Sequence, residues 1–244
     1  MLFYDASNSF GYIFYFALEI EFKLGLNQYY QIIDIKLNFV NAAEGSNVDV
    51  VFFQKNIVSF VDDVVAWKVI HTEGGGWRTP FTFSTDFQVA VQNEDGAPTP
   101  RLSAKTGEKL IVEMNEGKMT FAAAGNASNP KFLEIENHLP NQSINALVYR
   151  NGELVAREDG GGPSQIATFE LDHRIWVGVC SGVEQGKRLG SKVVREINAL
   201  LDLYGIVSAD IVMTGGGGLI QIQTGDINLN CRMSFKPNSQ KRLC

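Results

Sequence analysis

The sequence predicts an all-β protein: an antiparallel β-sandwich of two packed sheets and about ten to twelve strands, with at most one or two short helices. Three observations carry this. From Ile33 onward apolar residues recur with period two, Asn-Gly and Gly-rich turn signals punctuate the chain at short intervals, and segments of helical period are scarce.

Taken in order, Ile33, Ile35, Leu37 and Phe39 alternate with Asp34, Lys36 and Asn38, which places one apolar face on a strand. Val48–Phe53 is apolar on both faces apart from Asp49, as in a strand covered on two sides. Across 57–70, Val61, Val64, Val65 and Lys68 share a helical face while the β-branched content favours strands. A short helix or turn followed by a strand over 66–70 is therefore expected. Phe81, Phe83, Thr85, Phe87, Val89 and Val91 form the clearest half-buried strand, closed by the turn residues Asn93-Glu94-Asp95-Gly96.

Two hairpins follow. One joins 109–114 to 118–121 through Asn115-Glu116-Gly117; the other joins 144–150 to 153–157 through Asn151-Gly152, the strongest short-range hairpin signal. Further strands are expected at 132–137, 165–171, 174–180, 211–214, 219–223 and 227–230. Over 192–204, Val193, Val194, Ile197, Leu200, Leu201 and Tyr204 keep helical spacing, with Ser191 as N-cap and Gly205 just past the end. The same stretch also alternates, so an edge strand is the second reading. No long internal repeat is visible.

The chain divides into an aromatic-rich extension (1–32), a sandwich domain (33–230) and a basic tail (231–244). The extension holds Phe3, Tyr4, Phe10, Tyr12, Phe14, Tyr15, Phe16, Phe22, Tyr29 and Tyr30. It lacks the basic start of a signal peptide and the length of a membrane span, so a soluble cytoplasmic protein is expected, with a homo-oligomer formed through the extension as a further expectation. Membrane binding ranks last, because an interfacial helix carries basic residues and this segment has only Lys23. The tail carries Arg232, Lys236, Lys241 and Arg242 and no acid. The whole chain, 244 residues with a net charge of −6, is therefore more acidic in its body than that figure conveys, which excludes an electrostatic hold on nucleic acid.

Catalytic signatures are missing. The Gly runs 74–76, 160–162 and 215–218 lack the Lys and Ser/Thr of a P-loop; Ser181 lacks the Gly two positions earlier that a nucleophile elbow needs. The cysteines Cys180, Cys231 and Cys244 form no CxxC pair, and Cys180 reads as a buried apolar thiol. No catalytic residue, metal ligand or cofactor is assigned, although Glu94-Asp95 and Asp226 offer loop oxygens.

The richest segment is 66–83, which sets Trp67, His71, Trp77, Arg78 and Phe81 around a triple-Gly turn; Trp176 lies on a later strand. Core packing explains such aromatics, and a slot between the sheets explains them as well. The expected function is a non-enzymatic protein binding a small aromatic or apolar molecule, a pigment among the candidates, through Trp67, His71, Trp77, Arg78, Phe81 and Trp176. A carbohydrate-binding or membrane-active protein of lectin or pore-forming type is the first alternative, a self-assembling structural protein the second, and a hydrolase with a dispersed triad the last.

Overall fold

The computed structural model describes residues 34–43, 48–59, 64–72, 74–93, 96, 98–197, 199–216 and 219–229. The aromatic extension, the basic tail with Cys231 and Cys244, and Glu94-Asp95 lie outside the described residues.

Most of the period-two alternation becomes strand, but the single strand expected over 81–91 is corrected. It turns at 84–86 and divides into two strands of different sheets, Arg78–Phe83 and Phe87–Gln92, because alternation fixes a face and not the sheet that a segment joins. The strands are β1 (Ile35–Asn41), β2 (Asp49–Phe53), β3 (Lys68–His71), β4 (Arg78–Phe83), β5 (Phe87–Gln92), β6 (Leu102–Ala104), β7 (Glu108–Asn115), β8 (Lys118–Asn126), β9 (Leu133–Asn137), β10 (Ile144–Arg150), β11 (Glu153–Gly161), β12 (Ile166–Phe169), β13 (Arg174–Val179), β14 (Ala199–Asp202), β15 (Ile206–Gly216) and β16 (Leu219–Leu229). A single short helix, α1 (Ser191–Glu196), is present among the described residues.

The all-β sandwich class holds, with more strands and sheets than the ten to twelve strands in two sheets expected. Four four-stranded sheets run β16-β15-β1-β4, β14-β13-β2-β3, β11-β10-β5-β6 and β12-β9-β7-β8. Pairing is antiparallel except for β1 with β15 and β7 with β9. Those parallel joints escaped the sequence, because period two fixes the face of a strand and not its neighbour. Pro80 sits on β4, an edge of its sheet, where its missing N–H costs no ladder bond.

Inner faces of all four sheets meet in one continuous core. Phe39 of β1 packs edge-on against Phe52 of β2 at 6.2 Å between ring centroids, and Phe52 meets Phe81 of β4 at 5.1 Å. Sheet β16-β15-β1-β4 thus faces sheet β14-β13-β2-β3. Burying each such ring stabilises the fold by roughly 1.5–3 kcal/mol.

A second, smaller cluster covers the outer side of β2. Val51 and Phe53 point outward there and are capped by Val64, Ala66, Leu189, Val194 and Ile197. Strand β2 is covered on both faces, as its apolar run predicts. Cys180, half-buried, packs at the border of this cluster.

The helix expected over 192–204 is corrected to α1 alone, with Gly190 rather than Ser191 at its N-cap and no side-chain cap bond. Residues 199–202 instead pair with β13, Ile175 opposite Leu201. Six residues give little helix energy of their own, so a ladder with β13 takes the rest of the segment. The stretch 57–70 shows a turn at Ile57-Val58 and a strand from Lys68, with 60–63 outside the described residues.

Ile197 leans over β13 at Gly178, where an added Cβ would stand 2.5 Å from Ile197 Cγ1. A Gly178→Ala exchange is expected to lower stability by about 1–3 kcal/mol through overpacking, read from the urea midpoint. Combining it with Ile197→Ala should recover part of that loss in a double-mutant cycle.

Candidate functional site

A solvent-open cleft of about 380 Å³ is lined by Ser84, Asp86, Phe87, Gln88, Ser103, Ala104, Lys105, Glu108, Asn151 and Gly152. It forms where the β4–β5 turn, strand β6 with its following turn, and the β10–β11 hairpin converge.

Local chemistry fixes each wall. Asn151 and Gly152 take positive φ of 53° and 78°, the tight two-residue hairpin that Asn-Gly specifies. The Asn151 side chain then ties that hairpin to the β4–β5 turn: its Nδ2 donates to Thr82 O at 2.6 Å, and its Oδ1 accepts the Ser84 N–H at 3.0 Å. Arg101 donates to Gly152 O at 2.8 Å. On the far side the Lys105 N–H donates to the Glu108 carboxylate at 2.9 Å, closing the β6–β7 turn. Asn151 and Glu108 are therefore committed to the frame. The carboxylate of Asp86, the amide of Gln88, the hydroxyl of Ser103 and the ammonium of Lys105 line the same space and make no hydrogen bond to the described residues.

Behind this wall lies Arg150, 2% exposed. Its guanidinium is sandwiched between the rings of Phe83 and Phe87, 4.0 and 4.3 Å from their centroids. It donates from Nε to Gln54 Oε1 at 3.0 Å and from Nη1 to Ser84 O, and its own carbonyl accepts the Trp67 indole N–H at 3.2 Å. Burial pushes its pKa down to about 9, opposed by the charges of Asp172 and Asp86. It is thus a cation at neutral pH. Gln54 in turn donates to Asp172 O at 2.7 Å and Arg174 O at 3.0 Å. The half-buried His173 is held below the usual histidine range, mainly by burial and then by the Arg150 charge.

The six residues singled out in the sequence do not converge. Trp67 and Phe81 meet in the core, 6.1 Å between centroids, with Phe83 against the other edge of the indole. Trp176 belongs to the outer cluster, stacked on Phe53 at 6.1 Å beneath the ammonium of Lys55. Trp77 is 46% exposed and donates to Thr79 Oγ1, and Arg78 reaches Asp210 at 3.4 Å on the edge strand. His71 is exposed and bonds Asp49 at 2.6 Å, which holds that carboxyl below its usual range. None of the six lines the cleft. Of the cleft residues, the Asn-Gly hairpin carried a turn signal and 84–88 fell in an alternating stretch, but neither signal pointed to a site, and the lining comes from separate segments without a motif.

Among the described residues, no three His, Cys, Asp or Glu side chains come together as a metal site, and no helix is long and apolar enough to cross a membrane. No family model, no curated protein and no solved structure matches the chain.

The depressed pKa of His173 has a defined consequence. The unfolded chain takes up this proton near the ordinary value of 6.5 while the folded protein resists it, so stability falls as pH drops through that value and levels off below the folded pKa. Urea midpoints between pH about 7 and about 5.5 should decline in the wild type, and His173→Gln should flatten that part of the curve.

Proposed function

We propose that the protein is a non-enzymatic binding protein whose ligand is a small, hydroxyl-rich molecule of carbohydrate type, held in the cleft beside Asp86 and Lys105. The observation behind this reading is the division of labour among the cleft's polar groups. Asn151 and Glu108 are consumed in fixing the walls, and Asp86, Gln88, Ser103 and Lys105 are left to address a guest.

Those four groups complement a polyol. A carboxylate only accepts and an ammonium only donates, whereas a hydroxyl or a primary amide does both, so adjacent sugar hydroxyls can satisfy all four at once. A cleft near 380 Å³ falls within the range of small-molecule sites. Walls already hydrogen-bonded before the guest arrives reduce the ordering cost of binding. The histidine–carboxylate pairs, His71 with Asp49 and His138 with Glu136, lie outside the cleft, which favours binding over catalysis.

A flat apolar ligand would need the tryptophans to wall one slot, and their separation draws the reading toward the polar cleft. An absorption spectrum of protein purified from its source, with a band beyond those of Trp and Tyr, would return it to a pigment.

Glycan-array screening followed by saturation-transfer NMR is expected to find a saccharide ligand. Asp86→Asn and Lys105→Met should each weaken its binding by about tenfold or more, as loss of a charge-assisted hydrogen bond requires. Lys105→Met should leave the melting temperature unchanged, whereas Asp86→Asn also removes a charge that favours the buried Arg150 cation and should lower it. A blank array, or binding indifferent to both exchanges, would overturn the proposal.

A further inference from the structure

Strand order in the four sheets contains a regularity that the sequence conceals. Each sheet takes two strands from β1–β8 and two from β9–β16. Replacing every strand of β16-β15-β1-β4 by the one eight places away yields β8-β7-β9-β12, the fourth sheet; the same operation turns β14-β13-β2-β3 into β6-β5-β10-β11, the third.

Residue register obeys the same rule. Leu37 pairs with Phe81 as Leu133 pairs with Phe169, and Phe52 pairs with Val177 as Val148 pairs with Val89. The two parallel joints correspond, Phe39 beside Ile211 and Ile135 beside Leu110. Both long hairpins, β7–β8 and β15–β16, carry a register shift at the matching place.

The two halves repeat a set of hydrogen bonds at one asparagine each. The buried Asn41 and Asn137 end β1 and β9. Their Oδ1 atoms accept the N–H two residues on, from Ala43 at 3.1 Å and Leu139 at 2.9 Å; their Nδ2 atoms donate into the Gly runs, to Gly74 O at 2.7 Å and Gly161 O at 2.9 Å. Their main chains close the same loops: the Gly76 and Ser164 N–H groups donate to the Asn41 and Asn137 carbonyls at 2.6 and 2.7 Å, both donors at positive φ.

We infer that residues 34–126 and 133–229 are two equivalent eight-strand halves which exchange strands about a pseudo-twofold axis, so that each half is the other's obligate partner. Gln54 and Arg150 are equivalent positions, the residues that follow Phe53 and Tyr149, and they bond to each other. Each also donates to a main-chain carbonyl of an equivalent turn, Asp172 O from Gln54 and Ser84 O from Arg150. The axis therefore passes through the Gln54–Arg150 contact. Neither half contains a complete sheet, and the surface each presents is the open edge of paired strands that the other half fills.

The test keeps the whole chain. A protease site inserted between the exposed Pro130 and Lys131, in the loop between β8 and β9, is cut in the folded protein. The two fragments are expected to co-elute at the mass of the intact chain and to unfold in a single transition. Fragments that separate in native buffer, or that melt in two independent steps, would overturn the inference.

A second measurement addresses the axis itself. Gln54→Arg alone sets two guanidinium groups against each other and should lower the urea midpoint. Adding Arg150→Gln exchanges the pair across the axis and should restore more than half of that loss; a double variant no more stable than Gln54→Arg would count against equivalence of the two positions.

Discussion

The contact between Arg150 and Gln54 is the constraint around which the fold is arranged. A guanidinium withdrawn from water is costly unless its donors are met and its charge is balanced. No carboxylate lies within hydrogen-bond distance among the described residues; two aromatic faces, an amide oxygen and a main-chain carbonyl share that task. The partners come from two other segments: Phe83, Ser84 and Phe87 from the β4–β5 corner, and Gln54 from the residue after β2. Moving any of them leaves a buried cation short of a partner. The contact thereby ties three chain segments together in the interior, and one of them, at Ser84, forms a wall of the cleft.

Farther from that centre, the two buried asparagines do for the sheet ends what Arg150 does for the middle. A strand that stops inside a core leaves main-chain groups without a ladder partner, and an amide side chain is well suited to supply both a donor and an acceptor. Asn41 and Asn137 do this beside the parallel joints, where β1 meets β15 and β9 meets β7. The Gly runs at 74–76 and 160–162 are consequently structural loops whose carbonyls are claimed from within, and their glycine content follows from that geometry and not from a bound phosphate.

How much of this could be read in the sequence depends on the range of the interaction. The faces of β1, β2 and β5 and the Asn151-Gly152 hairpin were legible, because period two and turn chemistry act over a few residues. The 192–204 stretch was ambiguous, since its apolar positions satisfy both periods; pairing with β13, a long-range event, decides in favour of a strand after Glu196. The parallel joints, the pairing of Gln54 with Arg150 and the twofold repeat depend on residues brought together from opposite halves, and nothing local encodes them. Side-chain identity differs between the halves, Phe39 against Ile135 and Gln54 against Arg150, so the repeat is visible in register and hydrogen bonding. Trp67 and Trp176 drew attention for their size, and size is equally what a core requires.

Equivalence of the halves also accounts for the place of Trp176 apart from the cleft. The position in β13 that matches Gln88 of β5 is Trp176: Gln88 stands opposite Ser103, and Trp176 stands opposite Leu200. Asp86 corresponds to Arg174 and Lys105 to Asp202, so the signs of charge are reversed as well. Arg174 is drawn to Asp172 at 2.5 Å, and Trp176 lies on Phe53 under Lys55. In the second half these positions are satisfied from within the chain, while in the first half Asp86, Gln88, Ser103 and Lys105 keep their polar groups for the cleft. The frame tolerates this difference because the contact between the halves, Arg150 with Gln54, and the asparagines that close the sheet ends within each half, Asn41 and Asn137, all lie in the interior. The unsatisfied polar groups of the cleft thus come from the first half, Asp86, Gln88, Ser103 and Lys105, while the second half closes it with the Asn151-Gly152 hairpin.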